Sequence, residues 1–203
     1  MSTVKQTKEE QAYWSTRYEA GQTGWDIGVP APALQAYFEQ IADKKVRILI
    51  PGAGNAYEAE YLWKNGFEHT TVLDIAAMPL KAFAIRNPDF PLHQLVQDNF
   101  FEHRGEYDLI IEQTFFCSFV PTPENRQLYA QKMAALLPRG GKLVGLWFDI
   151  PLTGDMDKRP FGGTKEEYLT YFTPYFDIKT FEKCYNSIKP REGNEFFGIL
   201  IKK

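Results

Sequence analysis

Apolar and polar positions fall in blocks along this chain, and the block from Val46 to Ile75 is the most regular of them. An apolar run, VRILIP, is closed by the turn GAGNAYE; a mixed polar and aromatic segment runs on to Gly66, and TVLDI follows. Short apolar runs bounded by glycine predict buried strands, and the segment between them predicts a helix, so the block is one βαβ unit. Gly52 and Gly54 let the backbone turn sharply and leave room for a ligand beside the main chain. Asp74 stands 22 residues beyond Gly52 at the end of the second strand, where a carboxylate accepts hydrogen bonds from both hydroxyls of a ribose. The unit therefore predicts a site for a nucleoside-containing ligand.

Ahead of it, Lys8 to Ala20 predicts a helix with Tyr13, Trp14, Arg17 and Tyr18 at helical spacing, stopped by Gly21. GQTGWDIGVPAP, carrying Trp25, reads as an irregular loop, and Pro32 to Ala42 as a second helix. A lid over the site is one explanation for these first 45 residues, which hold two of the four tryptophans. After Asp74 the pattern gives a helix Ala77 to Asn87, a strand in PLHQLVQ, a strand Tyr107 to Gln113, a helix Pro123 to Leu137 and a strand reaching Phe148. Alternating strands and helices are the signature of a parallel sheet covered on both faces, a doubly wound α/β fold. The tail departs from this: a polar loop Pro151 to Gly163, a helix Lys165 to Phe172, then strands Tyr175 to Tyr185 and Glu195 to Lys202 with only a charged turn between them. Those two should form a hairpin, completing a seven-stranded, mostly parallel sheet with a terminal antiparallel strand. At 203 residues the chain is expected to be one domain, 1–203.

Composition narrows the function. The third position of the G-x-G-x-x-G dinucleotide fingerprint is Tyr57, a poor neighbour for a pyrophosphate but acceptable for a ligand without phosphate, such as S-adenosylmethionine. A net charge of -3 gives no reason to expect nucleic acid as a partner. Only Cys117 and Cys184 are present and His69, His93 and His103 are scattered, so no metal site is expected and a reduced, cytoplasmic setting is. MSTVKQTKEEQ lacks the features of a signal peptide, and no apolar run nears the ~18 residues needed to span a bilayer, so no membrane association is expected.

YWSTRY, GWDIGVPAPAL, LIPGAGNAYE, VLDI, QDNFF, YDLIIEQTFFCSF and LLPRGGKLV occur in the order seen in the thiopurine S-methyltransferase family. Over roughly residues 10 to 202 the chain resembles that family, most closely its halide/thiol methyltransferase branch. The resemblance implies a Rossmann-like class I methyltransferase fold and S-adenosylmethionine as cofactor. It implies that Trp14, Tyr18 and Trp25 close over the methionine end of the cofactor, whose sulfonium is attracted to aromatic faces by about 0.5 to 2 kcal/mol per contact. It also puts Gly52 and Gly54 in the cofactor turn, Asp74 with Ile75 beside the ribose, and Asp98, Asn99 and Phe100 around the adenine.

On the acceptor side the resemblance points to TFFCSFVP as the floor, to Gln113 where relatives tend to carry Tyr, and to Phe161 where they often place an aromatic over the acceptor. Arg159, two residues before Phe161, can attract an anion, although a loop arginine is ordinarily exposed and solvated. Cys117 has no histidine near it in sequence and reads as structural rather than nucleophilic. The expected reaction is in-line methyl transfer to a small soft nucleophile: a thiol, hydrosulfide, halide or thiopurine-like acceptor. Joining a cation to an anion disperses charge, so a dry aromatic pocket that aligns the pair supplies much of the acceleration. An NAD-dependent oxidoreductase and a non-catalytic nucleoside-binding protein are the alternatives, and the partner is expected to be a small molecule, with the chain a monomer or weak homodimer.

Overall fold

The computed structural model describes residues 8–155 and 158–203. Residues 1–7, on which part of the signal-peptide reading and of the expected lid fell, lie outside the described residues. The seven strands are β1 (Ile48–Pro51), β2 (Thr70–Asp74), β3 (Leu95–Gln97), β4 (Leu109–Gln113), β5 (Lys142–Phe148), β6 (Phe176–Lys183) and β7 (Glu195–Lys202). They form one sheet in the order β3-β2-β1-β4-β5-β7-β6. The first five run parallel, and β7 lies antiparallel between β5 and β6, so the predicted hairpin is present. Dinucleotide folds of the 3-2-1-4-5-6 type have no such inserted strand.

Strand periodicity explains why the sheet is covered on both sides. Along β1, Ile48 and Ile50 enter one hydrophobic core and Leu49 the other; along β4, Leu109 and Ile111 face the first core and Ile110 the second. Leu143 and Trp147 of β5 likewise oppose Val144 and Leu146. The first core is closed by α2 (Pro32–Phe38), α3 (Tyr57–Lys64) and α4 (Ala77–Arg86) through Leu34, Phe38, Leu62 and Phe83. The second is closed by α5 (Pro123–Ala135) and α6 (Lys165–Phe172) through Tyr129, Met133, Tyr168 and Phe172. Thr122 caps α5 ahead of Pro123, and Thr164 and Glu167 form a reciprocal capping box on α6.

Boundaries moved where local chemistry overrides pattern. The predicted third strand shrinks to three residues because Leu92–Gln94 forms a 3-10 turn after Pro91, leaving a short edge strand, which limits unwanted pairing. The expected lid over 1–45 also narrows. Leu34 and Phe38 of α2, one helical turn apart, are fully buried in the first core, so α2 covers the sheet. What remains above the strand tips is α1 (Lys8–Glu19) and the loop carrying Trp25, and no residue of α1 is fully buried. Among the described residues no helix is long and apolar enough to cross a membrane.

Gly145 of β5 leaves no room for a β-carbon beside β4: one there would lie 2.3 Å from Glu112 Cβ and 2.7 Å from the Glu112 carbonyl oxygen. Gly145→Ala is expected to destabilise the fold by about 1 to 3 kcal/mol, read from the urea midpoint at unchanged slope.

Candidate functional site

A cavity of about 480 Å³ opens above the carboxyl ends of β1, β2 and β4, where open α/β sheets bind ligands. Its base is the turn after β1. Gly52 and Gly54 have φ of +58° and +54°, and Ala56, at +56°, leads into α3. A β-carbon on Gly52 would sit 2.0 Å from Phe115 Cδ2, and one on Gly54 would sit 2.9 Å from the Tyr18 hydroxyl. The main chain therefore comes as close to its neighbours here as only glycine permits. Tyr57, the residue in place of the third glycine, aims its hydroxyl at Asp26 (3.5 Å), with the Arg86 guanidinium over its ring.

Asp74, at the end of β2, is buried and lines the cavity. Its Oδ2 accepts the Gly54 N–H at 2.9 Å and its Oδ1 the Ala76 N–H at 2.8 Å, so the carboxylate ties the β1 turn to the start of α4. Burial pushes its pKa up to about 6 against those donated hydrogen bonds. A carboxylate has about four lone-pair positions, so two backbone donors leave acceptor capacity on both oxygens. Ile75 lines the cavity beside it, its carbonyl accepting from Gln11 of α1 and from Gln97. Asp98 lines the wall beyond β3, and its Oδ1 also caps its own turn through the Asn99 N–H at 2.8 Å.

The roof is aromatic. Trp14 and Trp25 meet edge to face with centroids 5.3 Å apart, and Tyr18 meets Trp25 at 5.5 Å in the same manner. Burial and the nearby Asp74 push the Tyr18 phenol well up, so it stays protonated. Trp25 is held from the far end of the chain: Arg191, buried in the turn before β7, donates from Nη2 to the Trp25 carbonyl at 2.7 Å and pairs with Glu195 at 3.4 Å.

The floor is the turn after β4. Glu112 is fully buried, accepts the Phe115 N–H at 2.7 Å, the Phe116 N–H at 3.1 Å and the Tyr129 hydroxyl, and is pushed by burial up to about 7. That clamp holds Thr114 at φ +55°, a conformation unusual outside glycine. Phe115 and Cys117 reach the cavity wall from it. Burial pushes the Cys117 thiol far up, and its Sγ donates to the Thr114 carbonyl, so it is inert, in agreement with the structural reading.

Of the residues singled out in the sequence, Trp14, Tyr18, Trp25, Gly52, Asp74, Ile75, Asp98 and Phe100 line this one cavity. Gly54 supports it through its N–H to Asp74, and Asn99 lies one step outside, its Oδ1 accepting the Phe101 N–H. Gln113 and Phe161 do not line it. The register of β4 puts Glu112 on the α5 face and sends Gln113 to the opposite face, toward Ile27, Ala31 and Leu146 in two smaller cavities. Phe161 is buried beneath the Arg159 guanidinium, its N–H donating to the Cys117 carbonyl. Sequence reasoning missed Arg191 and Glu112; for Glu112 the signal was available, since alternation along YDLIIEQ turns it into the core.

A buried acid with spare acceptors, a glycine cradle and an aromatic roof fit a nucleoside carrying a cationic group, and the sheet order is that of class I S-adenosylmethionine-dependent methyltransferases. Solved structures agree on the fold. A Burkholderia thailandensis 1,6-didemethyltoxoflavin-N1-methyltransferase, with S-adenosylhomocysteine bound, superposes with a TM-score of 0.75 at 16% identity, over 96% of this chain and 87% of that one. The magnesium protoporphyrin IX methyltransferase of Synechocystis, with S-adenosylmethionine bound, gives 0.73 at 13% identity over 100% of both chains. The family model described as thiopurine S-methyltransferase matches residues 9–201, and the chain belongs to that family. Among curated proteins it is similar to a probable thiol methyltransferase 2 of Arabidopsis thaliana, 31% identical over 91% of this chain and 82% of that protein. A thiocyanate methyltransferase 1 of Brassica oleracea is 27% identical over 93% and 84%. The protein is thus an S-adenosylmethionine-dependent methyltransferase.

Asp74→Ala is expected to weaken S-adenosylmethionine binding at least tenfold by calorimetry, given about 1.5 to 3 kcal/mol for a hydrogen bond to a charged group. Wild-type affinity should also fall below about pH 6, as the carboxylate takes up its proton. The stability linkage has the opposite sense. A carboxyl raised from 3.8 to about 6 binds its proton more tightly in the native state. Its contribution is therefore complete below pH 3.8 and lost as pH rises through 6. Urea unfolding of the cofactor-free protein should show the wild-type advantage over Asp74→Ala shrinking between about pH 4 and 7.

Proposed function

We propose that this enzyme methylates a small, soft, anionic nucleophile: a thiolate, hydrosulfide, halide or thiocyanate. The observation that carries the reading is the chemistry of the cavity wall. Among the described residues that form it there is no imidazole and no lysine, its thiol is inert, and it bears the guanidiniums of Arg17, Arg159 and Arg191. With Asp74 and Asp98 both given to the cofactor on this reading, such a wall has no base left to take a proton from an amine or alcohol, and it favours an acceptor that arrives already charged. The names of the plant relatives point the same way.

On this reading S-adenosylmethionine supplies an electrophilic methyl on a sulfonium. Asp74 holds the ribose, Asp98 accepts from the adenine amine, and the Gly52 turn admits the ligand beside the main chain. Trp14, Tyr18 and Trp25 act as the lid: their faces favour the positive sulfur and exclude water, which strengthens every charge interaction inside. Phe115 and Ser118 form the acceptor side, and the lid and floor hold donor and acceptor in line. Gln113, from the opposite face of β4, and Phe161, beneath Arg159, support the floor from behind.

A headspace assay with iodide, hydrosulfide, thiocyanate and a set of aromatic thiols tests the proposal. Turnover of the small anions, with volatile methylated products, is the expected result. Turnover confined to neutral amines or hydroxyls would overturn it.

A further inference from the structure

Arg159 belongs to a polar loop, yet only 16% of its side chain is exposed. Its guanidinium is fixed from several sides: Nε donates to the Ser118 carbonyl at 2.7 Å and Nη2 to Glu10 of α1 at 3.0 Å. It packs over the rings of Tyr13 (4.6 Å), Trp14 (5.6 Å) and Phe161 (5.7 Å). Nη1 makes no hydrogen bond among the described residues, and the side chain forms part of the cavity wall beside Trp14 and Ser118. A planar, permanently charged fork held this way keeps its donor directions, which a mobile surface lysine does not. It also stands at the Ser118 side of the cavity, whereas the carboxylates of Asp74 and Asp98 come from the ends of β2 and β3.

We propose that Arg159 is the specificity-determining residue of this site, receiving the negative charge of the acceptor on its free N–H edge. The inference rests on the methyl-transfer reading and deepens it: the acceptor is selected by charge as well as by size. The Glu10 carboxylate, already paired with the same guanidinium, competes with the incoming anion. Weak, rapidly exchanging acceptor binding follows, which suits a small ion that must leave as a neutral methylated product. Arg159 also joins α1 to its own loop, so it reports on acceptor arrival and lid position at once.

The test compares wild type with Arg159→Gln and Arg159→Lys. Arg159→Gln should raise KM for iodide and thiocyanate by about tenfold or more, a clearly larger factor than the loss in S-adenosylmethionine Kd that follows from loosening its link to Glu10 of α1. Arg159→Lys, which keeps the charge and loses the fork, should fall between. In protein loaded with S-adenosylhomocysteine, thiocyanate should shift the Arg159 Nε–H resonance saturably; that resonance is assigned by its loss in Arg159→Gln. Unchanged anion KM in Arg159→Gln, a resonance that does not respond, or equal losses in cofactor Kd and acceptor KM would each overturn this role for Arg159. In all three cases wild-type turnover of the anions would leave the methyl-transfer reading standing. Failure of wild type to methylate any anion would remove both.

Discussion

A single carboxylate taken out of water, Asp74 at the tip of β2, is the constraint around which this molecule is arranged. Its oxygens gather the N–H groups of Gly54 and Ala76, so three chain segments meet at one side chain: the β1 turn, β2 and the start of α4. Burying the charge is unfavourable, as the rise of its pKa to about 6 records. Left-handed backbone at Ala56, just past the glycine turn, adds local strain at the same place. Neither cost is explained by packing alone. Both are explained by a ligand that needs a charged acceptor at the end of β2 and an open path beside the β1 turn.

The roof obeys a different logic from the sheet. A 12-residue helix is marginal in isolation, and α1 buries none of its residues fully. What holds it is a short set of directional links: Gln11 to the Ile75 carbonyl, Glu10 to Arg159, and the ring edges of Trp14 and Tyr18 against Trp25. Trp25 in turn depends on Arg191, 166 residues away in sequence. With no fully buried residue and no core of its own, α1 stands at the low end of local stability, where elements that open for ligands are found. The first and last parts of the chain thus converge on one cavity, and the strands between them supply a rigid floor.

This division also explains what was legible in the sequence. Strand and helix alternation, the glycine turn and the acid at its fixed spacing are local signals, so the sheet, the turn at the cavity base and the place of Asp74 could all be read from the pattern. The aromatic residues of α1 were legible as a face at helical spacing, and the family resemblance told which way that face looks. Arg191 was not legible, because a single arginine in a charged turn carries no local sign of the carbonyl it will meet. Gln113 shows the opposite case: its place at a strand end was read well, but a period of two decides the face, and the next residues make the floor. Arg159 was read as an ordinary loop arginine because burial of a loop side chain depends on what packs over it.

The charges of the cavity fall into an order that neither end shows alone. Carboxylates enter its wall from the ends of β2 and β3, and guanidiniums from α1, the Arg159 loop and the turn before β7. Arg159 and Arg191 carry partial neutralisers, Glu10 and Glu195, which keeps the wall from simply repelling a cationic donor. On the proposed reading the remaining gradient runs along the line of transfer. The cation is drawn to the acids and the anion to the guanidiniums, so the field orients the pair before they meet. Transfer then cancels both charges, and the same gradient that favoured the reactants loses its hold on the products. On that reading the site has no need of a proton-accepting residue, and its selectivity resides in the sign of charge at each end.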